Sequence, residues 1–178
     1  MSLSIPVDGD DHVQGTADAH VTLVEYGDYQ CPGCGAAYPM VKAILNRLGT
    51  KLRFAFRNMP LSEIHPFAEM AAEAAEAAGA QGKFWEMHDG LYEHQAELGS
   101  ELMSALAKRL HLDVPRFEQD LVSRKFRDHV KRDFMGGVRS GVNGTPSFFV
   151  NGHQHEGSYA FEDLVAAIEQ HLHAKASL

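Results

Sequence analysis

The sequence predicts an α/β domain in which a βαβ unit and a closing ββα unit are separated by a block of helices. Three observations carry that prediction. Residues 20–26 (HVTLVEY) form a β-branched and aromatic run, and a helical apolar period follows it. The β pattern returns only after Gly141 and runs into Asn151-Gly152, the strongest two-residue hairpin signal. The chain has 178 residues, 44% of them hydrophobic and 22% charged, which suits one globular domain with an apolar core and excludes disorder or a fibre.

Residues 1–19 are polar and read as an irregular start, with a short edge strand near His12–Gln14. Residues 20–26 then form a buried strand that Gly27 and Asp28 end. Cys31-Pro32-Gly33-Cys34 opens a helix with apolar Tyr38, Val41, Ala43, Ile44, Leu45 and Leu48 near helical spacing, and Gly49 stops it. Residues 51–58 (KLRFAFRN) alternate Leu52, Phe54 and Phe56 against Arg53, Ala55 and Arg57, the pattern of a second strand. A helix over 66–78 follows, with Ser62 as its N-cap and Glu69, Glu73 and Glu76 as a polar stripe. Phe84, Trp85, Met87, His88, Leu91 and Tyr92 mark the next helix; Ser100 caps a third, Asp113-Val114-Pro115 starts a fourth, and Phe126, Val130, Phe134 and Val138 mark a fifth. The aromatic and Met positions in this block read as core packing. Residues 145–150 (TPSFFV) and 153–156 pair as a hairpin, and Phe161, Leu164, Val165, Ile168 and Leu172 share one face of a last helix. The expected organisation is an irregular segment at 1–19 and a single domain at 20–178, with a helical insert about 62–141.

The two cysteines, Cys31 and Cys34, lie three apart. A zinc site needs four ligands, and no second C-x-x-C supplies the rest. A structural disulfide across so short a loop stabilises little. A redox dithiol needs one attacking and one resolving sulfur, and this spacing provides both. In a first helical turn the two Cα atoms stand about 5–5.5 Å apart, within disulfide reach. Cys31 meets the unsatisfied N–H groups and positive dipole end of the helix, which favour its thiolate, so it is read as the attacker and Cys34 as the resolver. Pro32 suits the first turn because its missing N–H costs nothing there.

Two further residues are out of place for a plain core. Glu25 sits on the first strand on the face of Val21 and Leu23, six residues before Cys31. It is either an edge-exposed acid or a partly buried one beneath the dithiol, able to hold a proton or a water during exchange, with Arg53 as candidate counter-charge. Pro146 enters a strand that should be central, where proline removes a ladder donor, so a strand start or a special turn is expected.

The pieces LVEYGDYQCPGC, FRNMPL, the Glu/Ala-rich helix, QGKFWEMHD, GVNGTPSFFVNG and the final helix together resemble the DsbA-like thiol-disulfide oxidoreductases over roughly residues 12–172. The resemblance implies a thioredoxin fold with an inserted helical subdomain of about five helices. It implies that Cys31 is the nucleophile, Cys34 the resolving thiol, Glu25 the buried acid, and Pro146 the cis-proline whose neighbour Thr145 pairs with substrate backbone. Gly33 departs from the family's better-known members, where a histidine or aromatic residue is common, so Pro32 and Gly33 are the tuning positions.

The remaining signals are mostly exclusions. With 16 basic and 24 acidic residues the net charge is −8, which argues against a nucleic-acid footprint. No apolar run is long enough to span a membrane. The first fifteen residues lack the basic and apolar regions of a signal peptide, so the expected compartment is the cytoplasm, or the periplasm or another extracytoplasmic space if a signal has been removed. The eleven histidines read as surface or hairpin residues, and Gly136-Gly137 is no phosphate loop. No organic cofactor or metal is expected. The expected activity is disulfide exchange with cysteine-containing polypeptides, recycled by an unidentified redox partner. The alternatives are a reductase or isomerase working from the dithiol state, or a zinc-binding module using Cys31, Cys34 and a His pair.

Overall fold

In the computed structural model, which describes residues 1–176, a five-stranded sheet carries helices on both faces. The last two residues of the expected 20–178 domain lie outside the described ones. The order along the chain is β1 (His12–Gln14), β2 (Val21–Gly27), α1 (Pro32–Leu48) and β3 (Leu52–Asn58), then α2 (Ala68–Gly79), α3 (Phe84–Glu93), α4 (Ser100–Arg109), α5 (Val114–Val122) and α6 (Arg127–Arg139), then β4 (Ser147–Val150), β5 (His153–Gln154) and α7 (Phe161–Ala176). In space the strands run β1-β3-β2-β4-β5. The β2–β3 pair is parallel and joined through α1, whereas β4 pairs antiparallel with β2. This is the thioredoxin fold with α2–α6 inserted between its two halves.

Strand β2 lies at the centre of the sheet and is buried on both faces, as its unbroken apolar run requires. Val21, Leu23 and Glu25 face the larger core with Leu52, Phe54, Phe56, Phe148 and the inner side of α1. Val24 and Tyr26 face a smaller core with Ala55, Met59 and Phe149. Helix α6 roofs that second face. A Cβ at Gly137 would stand 2.9 Å from the Met59 sulfur and 3.0 Å from the Tyr26 ring, so the Gly136-Gly137 pair serves close packing.

Helix α1 starts because Cys31 is extended (ψ 122°) and Pro32 occupies the first helical position. It stops at Gly49, whose φ of 52° is costly for any residue with a Cβ. Asp113 caps α5 by accepting the Arg116 N–H at 3.0 Å.

Several local expectations are corrected. Ser62 does not cap α2; it lies in a turn closed by the Leu61 carbonyl, and the helix begins six residues later behind Pro66. Gly99, not Ser100, precedes α4 as its cap residue. The Glu73 and Glu76 carboxylates on α2 are buried rather than solvated: β1 and α6 bring His12 and His129 to Glu76, and Arg124, from the turn between α5 and α6, pairs with Glu73. The hairpin's second strand is only His153–Gln154.

Candidate active site

The dithiol sits where β2 hands over to α1. Asp28, buried just after the strand, organises this junction. One of its carboxylate oxygens accepts the Gln30 N–H at 2.7 Å; the other takes the Leu61 N–H at 2.9 Å and meets His65 Nδ1 at 2.7 Å. Its backbone closes the loop as well: the Cys31 N–H donates to the Asp28 carbonyl at 3.1 Å, and the Asp28 N–H donates to the Cys34 sulfur at 3.4 Å. From the insert, the Gln95 amide donates to the carbonyls of Tyr29 (2.8 Å) and Cys31 (2.9 Å). Gly35 is glycine because a Cβ there would collide with Gln95 Oε1.

The two sulfurs are driven apart electrostatically. Cys31 is 8% exposed and Cys34 is fully enclosed. The Cys31 thiol is lowered to about 5, chiefly because the Cys34 thiol donates to its sulfur, helped by the Thr145 side chain and the N–H groups of Gly33 and Cys34. Burial, reinforced by that same sulfur contact and by Glu25, pushes the Cys34 thiol far above the ordinary thiol range. At neutral pH the pair therefore carries one thiolate, on the outer sulfur, and one proton, on the inner.

Thr145 and Pro146 arrive opposite Cys31 from the loop before β4, and the peptide bond between them is cis. The neutral Cys31 thiol donates to the Thr145 carbonyl at 3.3 Å, and the buried Thr145 hydroxyl has no other partner. Gly33 lies beneath this loop: a Cβ there would be 3.3 Å from both Pro146 Cδ and Tyr159 Oη.

Glu25 is 3% exposed, so it is not an edge acid. Burial, with a smaller contribution from the Cys31 charge, raises its carboxyl to about 8, and it is neutral at pH 7. Arg53 is not its counter-charge. Glu25 stands in register with Phe56, so alternation puts Arg53 on the opposite face, where it donates to the Thr22 hydroxyl at 3.0 and 3.2 Å. A cavity of about 220 Å³ reaches Glu25, lined among others by Tyr38, Lys42, His88, Asp89 and Tyr92. Glu25 Oε1 and the Tyr92 hydroxyl are both buried without a protein partner and border this space, which is roomy and polar enough for water. Burial holds His88 neutral, down to about 3, with its Nδ1 3.0 Å from Tyr29 Oη, which corrects the reading of the histidines as surface residues.

The structure thus brings together Cys31, Cys34, Pro32, Gly33, Glu25, Thr145 and Pro146. It adds Asp28, His65, Gln95, Tyr92 and Tyr159. Only Asp28 was signalled locally, as an Asx-turn residue after a strand. Among the described residues neither cysteine belongs to a group of three metal-ligand side chains, so the zinc reading of the dithiol has no third ligand.

Known proteins match this architecture. The Thioredoxin_4 family, described as thioredoxin, matches residues 8–170. The chain is similar to BdbD from Bacillus subtilis (TM-score 0.83, 24% identity, 92% of this chain and 93% of that one). It is also similar to a thioredoxin-like oxidoreductase from Silicibacter pomeroyi DSS-3 (TM-score 0.81, 27% identity, 92% of both chains). In sequence it is 50% identical over 169 residues to the Na(+)/H(+) antiporter NhaA 1 of Salinispora arenicola, covering 94% of this chain but only 26% of that protein, so it spans about a quarter of that relative's length. No helix among the described residues is long and apolar enough to cross a membrane. Family match and fold agree: the chain belongs to the Thioredoxin_4 family, with the Cys31–Cys34 pair where β2 hands over to α1.

Proposed function

We propose that the Cys-Pro-Gly-Cys dithiol exchanges disulfides with cysteine-containing polypeptides, and that Cys31 is the sulfur that meets them. The carrying observation is the split between the two thiols, Cys31 at about 5 and Cys34 far above it, on one helical turn. In the reducing direction the Cys31 thiolate attacks a substrate disulfide. One substrate sulfur leaves as a thiolate and a mixed disulfide forms at Cys31. Cys34 then attacks the Cys31 sulfur, the second substrate thiolate leaves, and the enzyme holds the disulfide. Oxidation of a substrate dithiol is the same path reversed.

Cys34 must lose a proton to attack, and Glu25 is the acceptor in this reading. Its first ionisation is withheld at pH 7, and part of what withholds it is the Cys31 negative charge. Forming the mixed disulfide removes that charge and makes Glu25 easier to ionise at the step that needs an acceptor, although burial, the larger cause, remains. The cavity beside Glu25 gives the proton a route to water. Thr145, beside Cys31, offers its backbone to an extended substrate segment, and Pro146 keeps that segment from pairing as an ordinary strand.

The thiolate at about 5 lies between the ~7 of thioredoxin and the ~3.5 of DsbA, so the couple should be more oxidising than the first and less than the second, between about −270 and −120 mV. A glutathione-buffer titration measures it. The role assignment is tested by a trap: Cys34→Ser, mixed with a disulfide-bonded peptide, should accumulate one peptide on Cys31 by non-reducing mass spectrometry, while wild type releases it. An adduct absent from Cys31 would overturn the reading.

A further inference from the structure

Away from the dithiol, three elements distant in sequence converge on one polar cluster. His12 on β1 lies 2.7 Å from Glu76 Oε2 on α2. His129 Nε2 on α6 lies 3.5 Å from Glu76 Oε1 and 3.7 Å from Asp133 Oδ2, one turn further along the same helix. The ligand atoms of His12, Glu76 and His129 all fall within 4.8 Å of one another. We propose that His12, Glu76, His129 and Asp133 form a zinc site that staples the sheet edge to the helical insert.

Spacing is the first argument. Zinc binds imidazole nitrogen and carboxylate oxygen at about 2.0–2.2 Å, so tetrahedral ligands stand about 3.3–3.5 Å apart. The two His129 separations are already near that value; the His12–Glu76 hydrogen bond has to open, and Asp133, 3.7 Å from His129 but outside the group of three, has to close in as the fourth ligand. The ligands are also held. The His12 ring stacks on Phe84 with centroids 3.5 Å apart and planes 5° off parallel. Asn58 donates its side-chain amide to Glu76 Oε1 (2.8 Å) and Asp133 Oδ2 (3.0 Å), and its backbone N–H to Asp133 as well, the outer-layer hydrogen bonding that ligating carboxylates carry.

Charge is the independent argument. Glu76 is 4% exposed and Asp133 5%. Three other acids with enclosed carboxylates have a guanidinium or ammonium (Asp11 with Arg57, Glu73 with Arg124, Asp120 with Lys125), while Asp28 at the dithiol junction has His65 alone and Glu25 has no cation among the described residues. Among the described residues the ion-pair partners of Glu76 and Asp133 are histidines only. In the forms that ligate zinc, two carboxylates and two neutral imidazoles together carry −2, which one Zn²⁺ cancels. Two nitrogen and two carboxylate ligands suit zinc rather than magnesium or calcium, which take oxygen shells. With four protein ligands the site is structural.

The test uses chelator-treated protein with Cys31 and Cys34 oxidised, so that the thiols cannot bind metal, and Zn²⁺ alone as the probe. We expect one zinc per chain by atomic spectrometry after desalting, and a melting temperature raised by about 5–10 °C at a hundredfold excess over Kd. Co²⁺ should give the visible bands of a tetrahedral site in the wild-type protein, a readout needing no variant. His129→Gln and, separately, Asp133→Asn should each weaken zinc binding by about a hundredfold or more. The proposal is overturned if the oxidised protein binds no zinc, if it prefers Ca²⁺ or Mg²⁺, or if both variants bind zinc as the wild type does. Since the dithiol is blocked throughout, the result bears on this site and not on disulfide exchange.

Discussion

Two buried ionisable groups on adjacent central strands, Glu25 and Arg57, are treated in opposite ways. Arg57 lies on the smaller-core face and every arm of its guanidinium is occupied: two bonds to Asp11 (2.8 and 2.9 Å), one to Tyr26 Oη (3.0 Å), and one each to the carbonyls of Ile5 (2.8 Å) and Pro6 (3.1 Å). The gap beside it is about 10 Å³, too small for more than a single water. Glu25, on the other face, has an oxygen with no protein partner and a cavity of about 220 Å³ at its side. A saturated charge fixes the chain. An unsaturated one, kept near its titration point and within reach of water, can trade a proton. The difference separates a structural use of buried charge from a chemical one in the same sheet.

The largest effect should follow from Arg57→Ala, which leaves the Asp11 carboxylate buried and unpaired and costs about 3–5 kcal/mol in urea unfolding. The pH profile of Cys31 alkylation should not move. A fully stable variant, or a shifted profile, would erase the distinction drawn above. Glu25→Gln should do the reverse. Release of substrate from the mixed disulfide should slow by about 10–100-fold in single-turnover mixing, with formation of that disulfide nearly unchanged.

The same substitution changes stability in a pH-dependent way. The Glu25 carboxyl is raised from 4.5 to about 8 in the folded chain, so the unfolded chain ionises it first. In the oxidised wild type the Cys31 charge is gone and burial alone holds the carboxyl up, so stability should fall by up to about 1.4 kcal/mol per pH unit relative to Glu25→Gln as pH rises above 4.5 toward that raised value, and be level with it below 4.5. In the reduced wild type Cys31 opposes this slope, because its thiol falls from 9.0 to about 5 and adds stability as pH rises through that window. Parallel unfolding curves for the oxidised and reduced forms from pH 5 to 8 would contradict both assignments. The smallest expected effect belongs to Gly33→His, which should move the midpoint about 30 mV toward oxidising in a glutathione titration by adding a donor near the Cys31 thiolate. Its Cβ must fit 3.3 Å from Pro146 and Tyr159, so a midpoint that shifts toward reducing would point to displaced packing instead.

What was legible in the sequence was whatever depends on neighbours along the chain. The β2–α1 junction, the paired cysteines, the five helices between the sheet halves and the Thr145-Pro146 step all announce themselves through period or composition. What was not legible depends on register and on distant segments. Arg53 looked like a partner for Glu25 until the Glu25–Phe56 register put it on the far face. Asp11 looked like part of an irregular start, yet it neutralises a central-strand arginine. Glu76 looked like one of three equivalent acids on α2, and only the arrival of His12 and His129 from elsewhere makes it different from Glu69.

Gln95 carries a consequence for how far this domain can be trimmed. Its one amide group satisfies two carbonyls of the loop that leads into the cysteines, and it comes from the turn after α3, within the insert. A version pared back to the bare sheet and its two flanking helices would hand those carbonyls to water and leave Gly35 facing an empty slot. The insert is thus a wall of the reaction chamber, and a protein engineer who shortened it would be editing the chemistry.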